Sequence, residues 1–339
     1  MGSKLHDDIQ SSLVQKRDNL YHWLEATPEE KQEVQLGTAD ETAVEEHLHV
    51  ISDSLEKIED GTFGICEICN EPVDRELLQM DYTATVCLGH FSDEQLSQLE
   101  TELELSQVVQ RGLLPQQVPV IQGLNIAAFS RPAQIITGDY FDFVDFKDGA
   151  HGFVIADVSG HGVSAGMLMT SLQMAFQTLV PESLSPVEVL ERINRVYLHN
   201  INLTTFVTVF FAKFDPRSRK LTYANAGHNS AIVHHGATGK ETWLHPTGPA
   251  IGLMEGFNTS AKELQLESGD MLLIYTDGVT EAGDPQNVEF GEDRLAELVA
   301  RNAGGSPEDL IQNILLALKQ HTAGTPFVDD VTLLVCKVQ

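Results

Sequence analysis

The sequence predicts an α+β protein whose larger, C-terminal part is built of antiparallel sheets with helices on their outer faces. Three observations carry that reading. After Pro119 the chain breaks into short β-branched and aromatic runs. Helical segments interrupt those runs in pairs rather than alternating with them one by one. Some runs are joined by turns as tight as Asp215-Pro216-Arg217-Ser218, which suit antiparallel neighbours and not a parallel crossover. The chain has 339 residues, more than the roughly 100–200 of one ordinary domain, so one large and one small domain are expected.

In chain order, residues from Leu5 to Glu59 are polar and helix-favouring, with a break at Thr27-Pro28 and Gly37-Thr38-Ala39-Asp40, which predicts a helical hairpin. A compact cysteine-bearing segment runs from Gly61 to His90. Ser92-Asp93-Glu94-Gln95 then opens a helix that Pro115 closes. That helix carries Leu96, Leu99, Leu103, Val109 and Leu113 in an imperfect apolar stripe, a face for a neighbour or for a second copy of itself. Strands are expected at Phe141 to Phe146, Gly152 to Val158, Thr205 to Phe214, Leu221 to Asn225 and Met271 to Tyr275. Val163 to Leu179 has helical periodicity. Ser185-Pro186-Val187-Glu188 and Ser306-Pro307-Glu308 place an N-cap, a first-turn proline and an acidic residue ahead of two more helices. The expected division is 1–91 for the helical and cysteine module, 92–118 for a linker helix and 119–339 for the large domain.

Acidic residues outnumber basic ones by 50 to 21, a formal charge of −29. Such a chain repels phosphate backbones and anionic lipid surfaces, so no nucleic acid and no membrane partner is expected. No stretch approaches the roughly 18–20 apolar residues of a membrane span, and the first residues lack a secretory apolar segment. A cytoplasmic protein is the expectation. Three of the four cysteines crowd between Cys66 and Cys87 in a metal-like spacing, and Cys336 stands alone in an apolar run, which is not a disulfide framework.

Aspartates recur where apolar strands stop or start: in Gly138-Asp139-Tyr140-Phe141-Asp142, in Ala156-Asp157-Val158-Ser159-Gly160-His161-Gly162, in Thr276-Asp277-Gly278 and in Asp329-Asp330-Val331-Thr332. One aspartate beside a glycine is usually a turn residue. Four at strand ends are different, because antiparallel sheets can bring those ends to one rim. Each close carboxylate pair there repels by about 4 kcal/mol at 4 Å with an effective dielectric near 20. Such a rim needs cations, and oxygen ligands select Mg²⁺ or Mn²⁺ over zinc. Two ions sharing a carboxylate and a water can activate that water and clamp a phosphoryl group. The chain has no Gly-x-x-x-x-Gly-Lys-Ser/Thr loop, no Gly-x-Ser-x-Gly elbow and no cysteine-nucleophile signature, which removes three rival chemistries.

These motifs, with Asn225-Ala226-Gly227-His228-Asn229 and Thr276-Asp277-Gly278-Val279-Thr280-Glu281-Ala282, resemble in order and spacing the SpoIIE/RsbU-type phosphatases of the metal-dependent PPM class. The resemblance runs from about Gln107 to the C-terminus and includes Gln110-Arg111-Gly112-Leu113-Leu114-Pro115 and Arg131-Pro132-Ala133. It implies a sandwich of two antiparallel sheets flanked by helices, and a serine/threonine protein phosphatase using two Mn²⁺ or Mg²⁺. It further implies that Asp157 bridges the metals with the Val158 carbonyl beside it, and that Asp139, Asp277 and Asp329 take the other metal places. Asp330 joins the metal set as a second choice, and Asp142 is another; each is alternatively a cap or an outer support. Arg131 reads either as a phosphate-binding fork or as a surface ion pair. His161 moves protons at the substrate or orders its loop, and His228 makes a structural hydrogen bond. Thr137 stands where the family pattern has glycine. The usual family substrate is a phosphorylated STAS-domain anti-anti-sigma factor in a partner-switching pathway, and the segment before the catalytic domain commonly acts as a switch.

Cys66-x-x-Cys69, seventeen residues, then Cys87-x-x-His90 supplies four soft ligands in two knuckles. That spacing predicts one structural Zn²⁺ in a closed tetrahedral site that folds a segment too small to bury its own core. Ile58-Glu59-Asp60-Gly61-Thr62-Phe63-Gly64-Ile65-Cys66-Glu67-Ile68-Cys69 resembles the zinc finger of the DksA/TraR family, with His90 in place of a fourth cysteine. The expected protein is a phosphatase regulated by its zinc module and able to dimerise through the linker helix. The alternative is an RNA-polymerase-binding transcription modulator with a vestigial phosphatase fold.

Overall fold

The computed structural model describes residues 10, 13, 14, 17, 41–74, 77, 78, 84–160, 162–200, 206–253, 257–325 and 327–339. The chain divides into two compact units, Met1–Thr101 with Asn202–Thr204, and Glu102–Ile201 with Thr205–Gln339.

In the smaller unit, helix α1 (Glu41–Glu59) buries Ile51 and Leu55 against Leu13. Most of the first arm of the expected hairpin lies outside the described residues. Gly61, at φ 71°, ends α1: its N–H donates to the Ile58 carbonyl at 3.2 Å and that of Thr62 to Lys57 at 2.9 Å. A left-handed residue satisfies the last helical carbonyls in this way and turns the chain into the cysteine segment. There Cys66, Val73 and Leu78 form a small core of their own. Helix α2 (Asp93–Leu113) starts at a closed box: the Gln95 N–H donates to Ser92 Oγ at 3.2 Å, and the Ser92 N–H to Gln95 Oε1 at 2.9 Å.

The larger unit is a four-layered sandwich. Its strands are β1 (Leu124–Arg131), β2 (Tyr140–Asp145), β3 (His151–Val158), β4 (Val207–Asp215), β5 (Lys220–Ala226), β6 (Ala231–His234), β7 (Glu241–Leu244), β8 (Lys262–Gln265), β9 (Met271–Tyr275) and β10 (Val331–Val338). One sheet has the order β1-β10-β9-β6-β7 and the other β2-β3-β4-β5-β8, all neighbours antiparallel. Alternation sorts each strand's side chains to two faces. On β3, Phe153 and Ile155 turn inward to Phe210, Ile274 and Leu334, making the core between the sheets. Val154, Ala156 and Val158 turn outward to Met169, Leu172, Leu190 and Ile193 of helices α3 (Val163–Leu179) and α4 (Pro186–Asn200). On the far side Leu273, Tyr275, Leu333 and Val335 pack on α6 (Glu292–Asn302) and α7 (Pro307–His321), which follow the one-turn α5 (Asp277–Thr280). Strands buried on both faces explain the nearly continuous apolar runs in the sequence.

The N-cap expected at Ser306 is completed by a closed box. Ser306 Oγ accepts the N–H of Asp309 at 3.2 Å, and Asp309 Oδ2 accepts the Ser306 N–H at 3.1 Å. Three residues after the cap is the geometric requirement, and Pro307 at the first position fits because it has no N–H to satisfy.

Candidate functional site

Topology gathers the aspartates. Asp139 precedes β2 and Asp157 is the penultimate residue of β3; because Tyr140 faces Ala156 across this antiparallel pair, the two stand side by side at one end of their sheet. In the other sheet Tyr275 faces Leu333, so Asp277, after β9, and Asp329-Asp330, before β10, share the corresponding rim. The rims meet at Asp139, whose Oδ2 accepts the hydroxyls of Thr276 at 2.9 Å and Thr332 at 2.6 Å across the sandwich.

This rim is electrostatically loaded. Asp139 is 2% exposed, and burial, followed by the charges of Asp157 and Asp330, holds its carboxyl well above the usual range against the two threonine bonds. Burial pushes Asp157 up to about 8, reinforced by Asp277, Asp329, Asp330 and Glu281. Asp277 and Glu281 are raised too, each by burial first and then by acidic neighbours, Asp329 among them. The ion pairs of the described residues do not include Asp139, Asp157 or Asp277. Buried oxygen donors that repel one another and have no lysine or arginine to offset them fit hard divalent cations. Their oxygens are spaced more widely than the cysteine and histidine ligand atoms, which among the described residues form the group that lies wholly within 4.8 Å.

Asp330 behaves as a clamp on the loop ahead of β2. Its Oδ1 accepts the Ala133 N–H at 2.7 Å, and its Oδ2 accepts the Gly138 N–H at 2.8 Å and the Thr137 hydroxyl at 2.6 Å. Thr137 Oγ1 in turn accepts the Asp139 N–H at 3.0 Å, so the residue in the glycine position ties two acidic segments together. Asp142 lies three residues from Asp139 on a strand and so falls on the opposite face. Its Oδ2 accepts the Tyr140 hydroxyl at 2.8 Å and Gln177 Nε2 at 2.7 Å, fastening β2 to α3 away from the acidic rim.

His228 is fully enclosed. Nδ1 lies 2.8 Å from the Thr208 hydroxyl and Nε2 lies 3.1 Å from the Tyr275 carbonyl, while burial pulls the ring down to about 4. A neutral ring donating to Tyr275 and accepting from Thr208 joins the ends of β4 and β9, the structural role the sequence suggested. Arg131 ends β1, paired in register with Val331 beside the double aspartate, and its guanidinium lies 5.4 Å from the centre of the Phe327 ring. Val158 is buried at the end of β3 beside Asp157. His161 lies outside the described residues. Gly278 allows the close approach of α5 to the β10 entry, since a Cβ there would come 2.0 Å from the Asp330 carbonyl oxygen. Thr276, Thr332, Gln110 and Glu281 are site residues that motif spacing alone did not single out.

In the smaller unit Cys66, Cys69, Cys87 and His90 converge. Cys69 Sγ and Cys87 Sγ are 3.7 Å apart, too far for a disulfide and equal to the edge of a tetrahedron with metal–sulfur bonds of about 2.3 Å. Burial opposes ionisation of Cys66, but the backbone N–H groups of Cys69, Cys87 and Ile68 outweigh it and bring the thiol to about 6; burial and the neighbouring thiols push Cys87 up to about 11. Thiols so coupled fit a shared soft cation.

The family model for stage II sporulation protein E, SpoIIE, matches residues 147–339. The chain belongs to the SpoIIE family. Phosphoserine phosphatase RsbU of Bacillus subtilis is 30% identical over 243 residues, 71% of each chain. Among solved structures, the RsbU and RsbW domains of a Mycobacterium tuberculosis protein align with TM-score 0.59 and 29% identity, covering 67% of this chain and 63% of that one. The SiaA-PP2C domain of Pseudomonas aeruginosa aligns with TM-score 0.63 and 20% identity over 72% of this chain and 98% of that one, a likeness of fold. The SpoIIE-family chain is therefore a serine/threonine protein phosphatase of the metal-dependent PPM class, and its sandwich is the PPM fold.

Proposed function

We propose that the larger unit hydrolyses phosphoserine or phosphothreonine on a protein, and that the substrate is a STAS-domain anti-anti-sigma-type regulator. The observation that carries the catalytic half is the buried acidic rim in which Asp139 and Asp157 are held above their ordinary ionisation range by burial and by acidic neighbours. Asp157, with the Val158 carbonyl, would bridge two Mn²⁺ or Mg²⁺, and Asp139, Asp277 and Asp329 would complete the set, with Asp330 behind them. Once bound, such a pair supplies a water of lowered pKa and positive charge for the phosphoryl oxygens.

The chain's own residues do the positioning. Thr276 and Thr332 both bond to Oδ2 of Asp139 and so fix its rotamer while leaving Oδ1 for a metal. Asp330 and Thr137 hold the loop that aims Asp139. Arg131 offers a planar fork to the non-bridging oxygens of the phosphoryl group, and His161 attends the seryl oxygen as it leaves. The domain plan is a zinc-bearing regulatory module (1–91), a linker helix (92–118) and the phosphatase (119–339). Cys66, Cys69, Cys87 and His90 hold a structural Zn²⁺. The exposed residues Leu105, Val108 and Val109 on α2 form the contact for a homodimer through the linker helix.

Phosphate release from a phosphoserine peptide, a phosphorylated STAS-domain protein and a nucleoside triphosphate, each with Mn²⁺, tests this reading. Turnover on the phosphoproteins that falls at least a thousandfold in Asp157→Asn is expected. Turnover confined to the nucleotide, or unchanged in that variant, would overturn it.

A further inference from the structure

Within the larger unit a cleft of about 530 Å³ opens between the last turn of α2 and the end of β1, a size typical of small-molecule sites. Gln107, Arg111 and Leu114 form one wall, and Phe129, Arg131 and Ile135 the other. In a chain with 50 acidic residues, none lines this cleft. It presents the exposed Arg111 instead, which among the described residues is in no ion pair, while the Arg131 guanidinium lies over the Phe327 ring. The carbonyls at the end of α2, which would repel an anion, are covered: Gln116 Nε2 donates to the oxygens of Arg111 at 2.6 Å and Leu114 at 2.9 Å. Ile135 is 41% exposed at the mouth.

Both walls are wired to Asp139. On one side the Gln110 amide grips Thr137 in both directions, Nε2 to its carbonyl at 2.8 Å and its N–H to Oε1 at 3.0 Å, while Gln107 Nε2 donates to the Ile135 carbonyl at 2.9 Å. Thr137 then reaches Asp139 and Asp330 directly. On the other side the Ser130 hydroxyl is 3.0 Å from Thr332 Oγ1, which bonds Asp139. Anything that wedges or draws together these walls moves the groups that aim Asp139.

We propose that this cleft is a regulatory site for a small amphipathic organic anion, an apolar body bearing one acidic group, whose binding resets the Asp139 loop. The apolar body covers Ile135 and Phe129, and the acidic group lies against Arg111, leaving Arg131 to the substrate. Binding stands independently of the phosphatase reading; the effect on turnover rests on it.

The test is a calorimetric titration of the full chain with naphthalene-1-sulfonate, which no phosphatase can hydrolyse, against neutral 1-naphthalenemethanol. One sulfonate per chain is expected, at least fivefold weaker in Arg111→Gln and tenfold weaker in Ile135→Glu, with the neutral compound not competing. Saturating sulfonate should change phosphopeptide turnover at least twofold in the wild type. Equal affinity in wild type and Arg111→Gln, or equal binding of the neutral compound, overturns the site. Binding without any change in turnover overturns the coupling. Arg111 is exposed, so its substitution keeps the test open should Ile135→Glu fail to fold. Probe-free turnover, measured alongside, reports on the phosphatase reading by itself.

Discussion

Asp139 shows how much a single carboxylate depends on its neighbours. Thr332→Val keeps the side-chain volume but removes the 2.6 Å bond to Oδ2, freeing the rotamer of a proposed metal ligand. Losing an outer support of this kind typically costs 10–100-fold. Turnover should therefore drop by that factor, with a higher Mn²⁺ concentration for half-maximal rate and an unchanged circular-dichroism spectrum. Ionisation gives a second prediction. The fold keeps a proton on Asp157 up to about 8, whereas the unfolded chain releases it near 4, so this group lowers stability as pH rises through that interval. His228 acts oppositely between about 4 and 6.5, where the unfolded chain binds the proton that the buried ring rejects. From pH 6.5 to 8 the Asp157 effect stands without that opposition. The melting temperature of the sandwich, measured on protein loaded with zinc but free of Mn²⁺ and Mg²⁺, should fall over that range, and Mn²⁺ should remove the fall. Asp139, Asp157, Asp277 and Asp329 were legible in the sequence as candidates because each stands where an apolar run starts or stops. The separation of Asp139 from Asp142 was legible in principle, since an odd spacing on a strand places them on opposite faces. The threonine bonds were not, because they join segments 137 and 193 residues apart in sequence.

Among the elements, α3 is closely constrained against the site. A Cβ at Gly166 would stand 2.2 Å from Ile136 Cγ2 and 2.9 Å from Gln110 Nε2, so Gly166→Ala must push the loop before Asp139 away from the helix. Overpacking of this kind costs about 1–3 kcal/mol. The substitution, normally helpful inside a helix, should lower stability by that amount in urea denaturation and reduce turnover as well. The paired helices could be read from period and caps, and strands β2, β3, β4, β5 and β9, of five or more residues, from their apolar and β-branched runs. The four-residue strands β6, β7 and β8 could not, since so short a segment carries little pattern and is held by its register with longer neighbours. The contact of Gln110 with Thr137 was also hidden: on sequence alone, a glutamine in a polar helix reads as solvated surface.

The two units differ in donor chemistry, thiols and an imidazole in the smaller and buried carboxylates in the larger. The cysteine segment has a small apolar core, so chelation of a soft ion should unfold that unit, whereas the sandwich has three layers of buried apolar contacts and needs no zinc to fold. Stripping zinc with a thiophilic chelator should abolish the finger's protection from proteolysis and leave the sandwich's main thermal transition in place. No helix among the described residues is long and apolar enough to cross a membrane. Within the molecule's excess of carboxylates, those of the acidic rim are pressed together out of water, and the proposal is that divalent ions offset their repulsion. Calorimetric titration of zinc-loaded full-length protein with Mn²⁺ measures that claim directly. Two Mn²⁺ per chain, with both lost or strongly weakened in Asp157→Asn, is the predicted result; no binding, or an isotherm unaltered by that substitution, would contradict it.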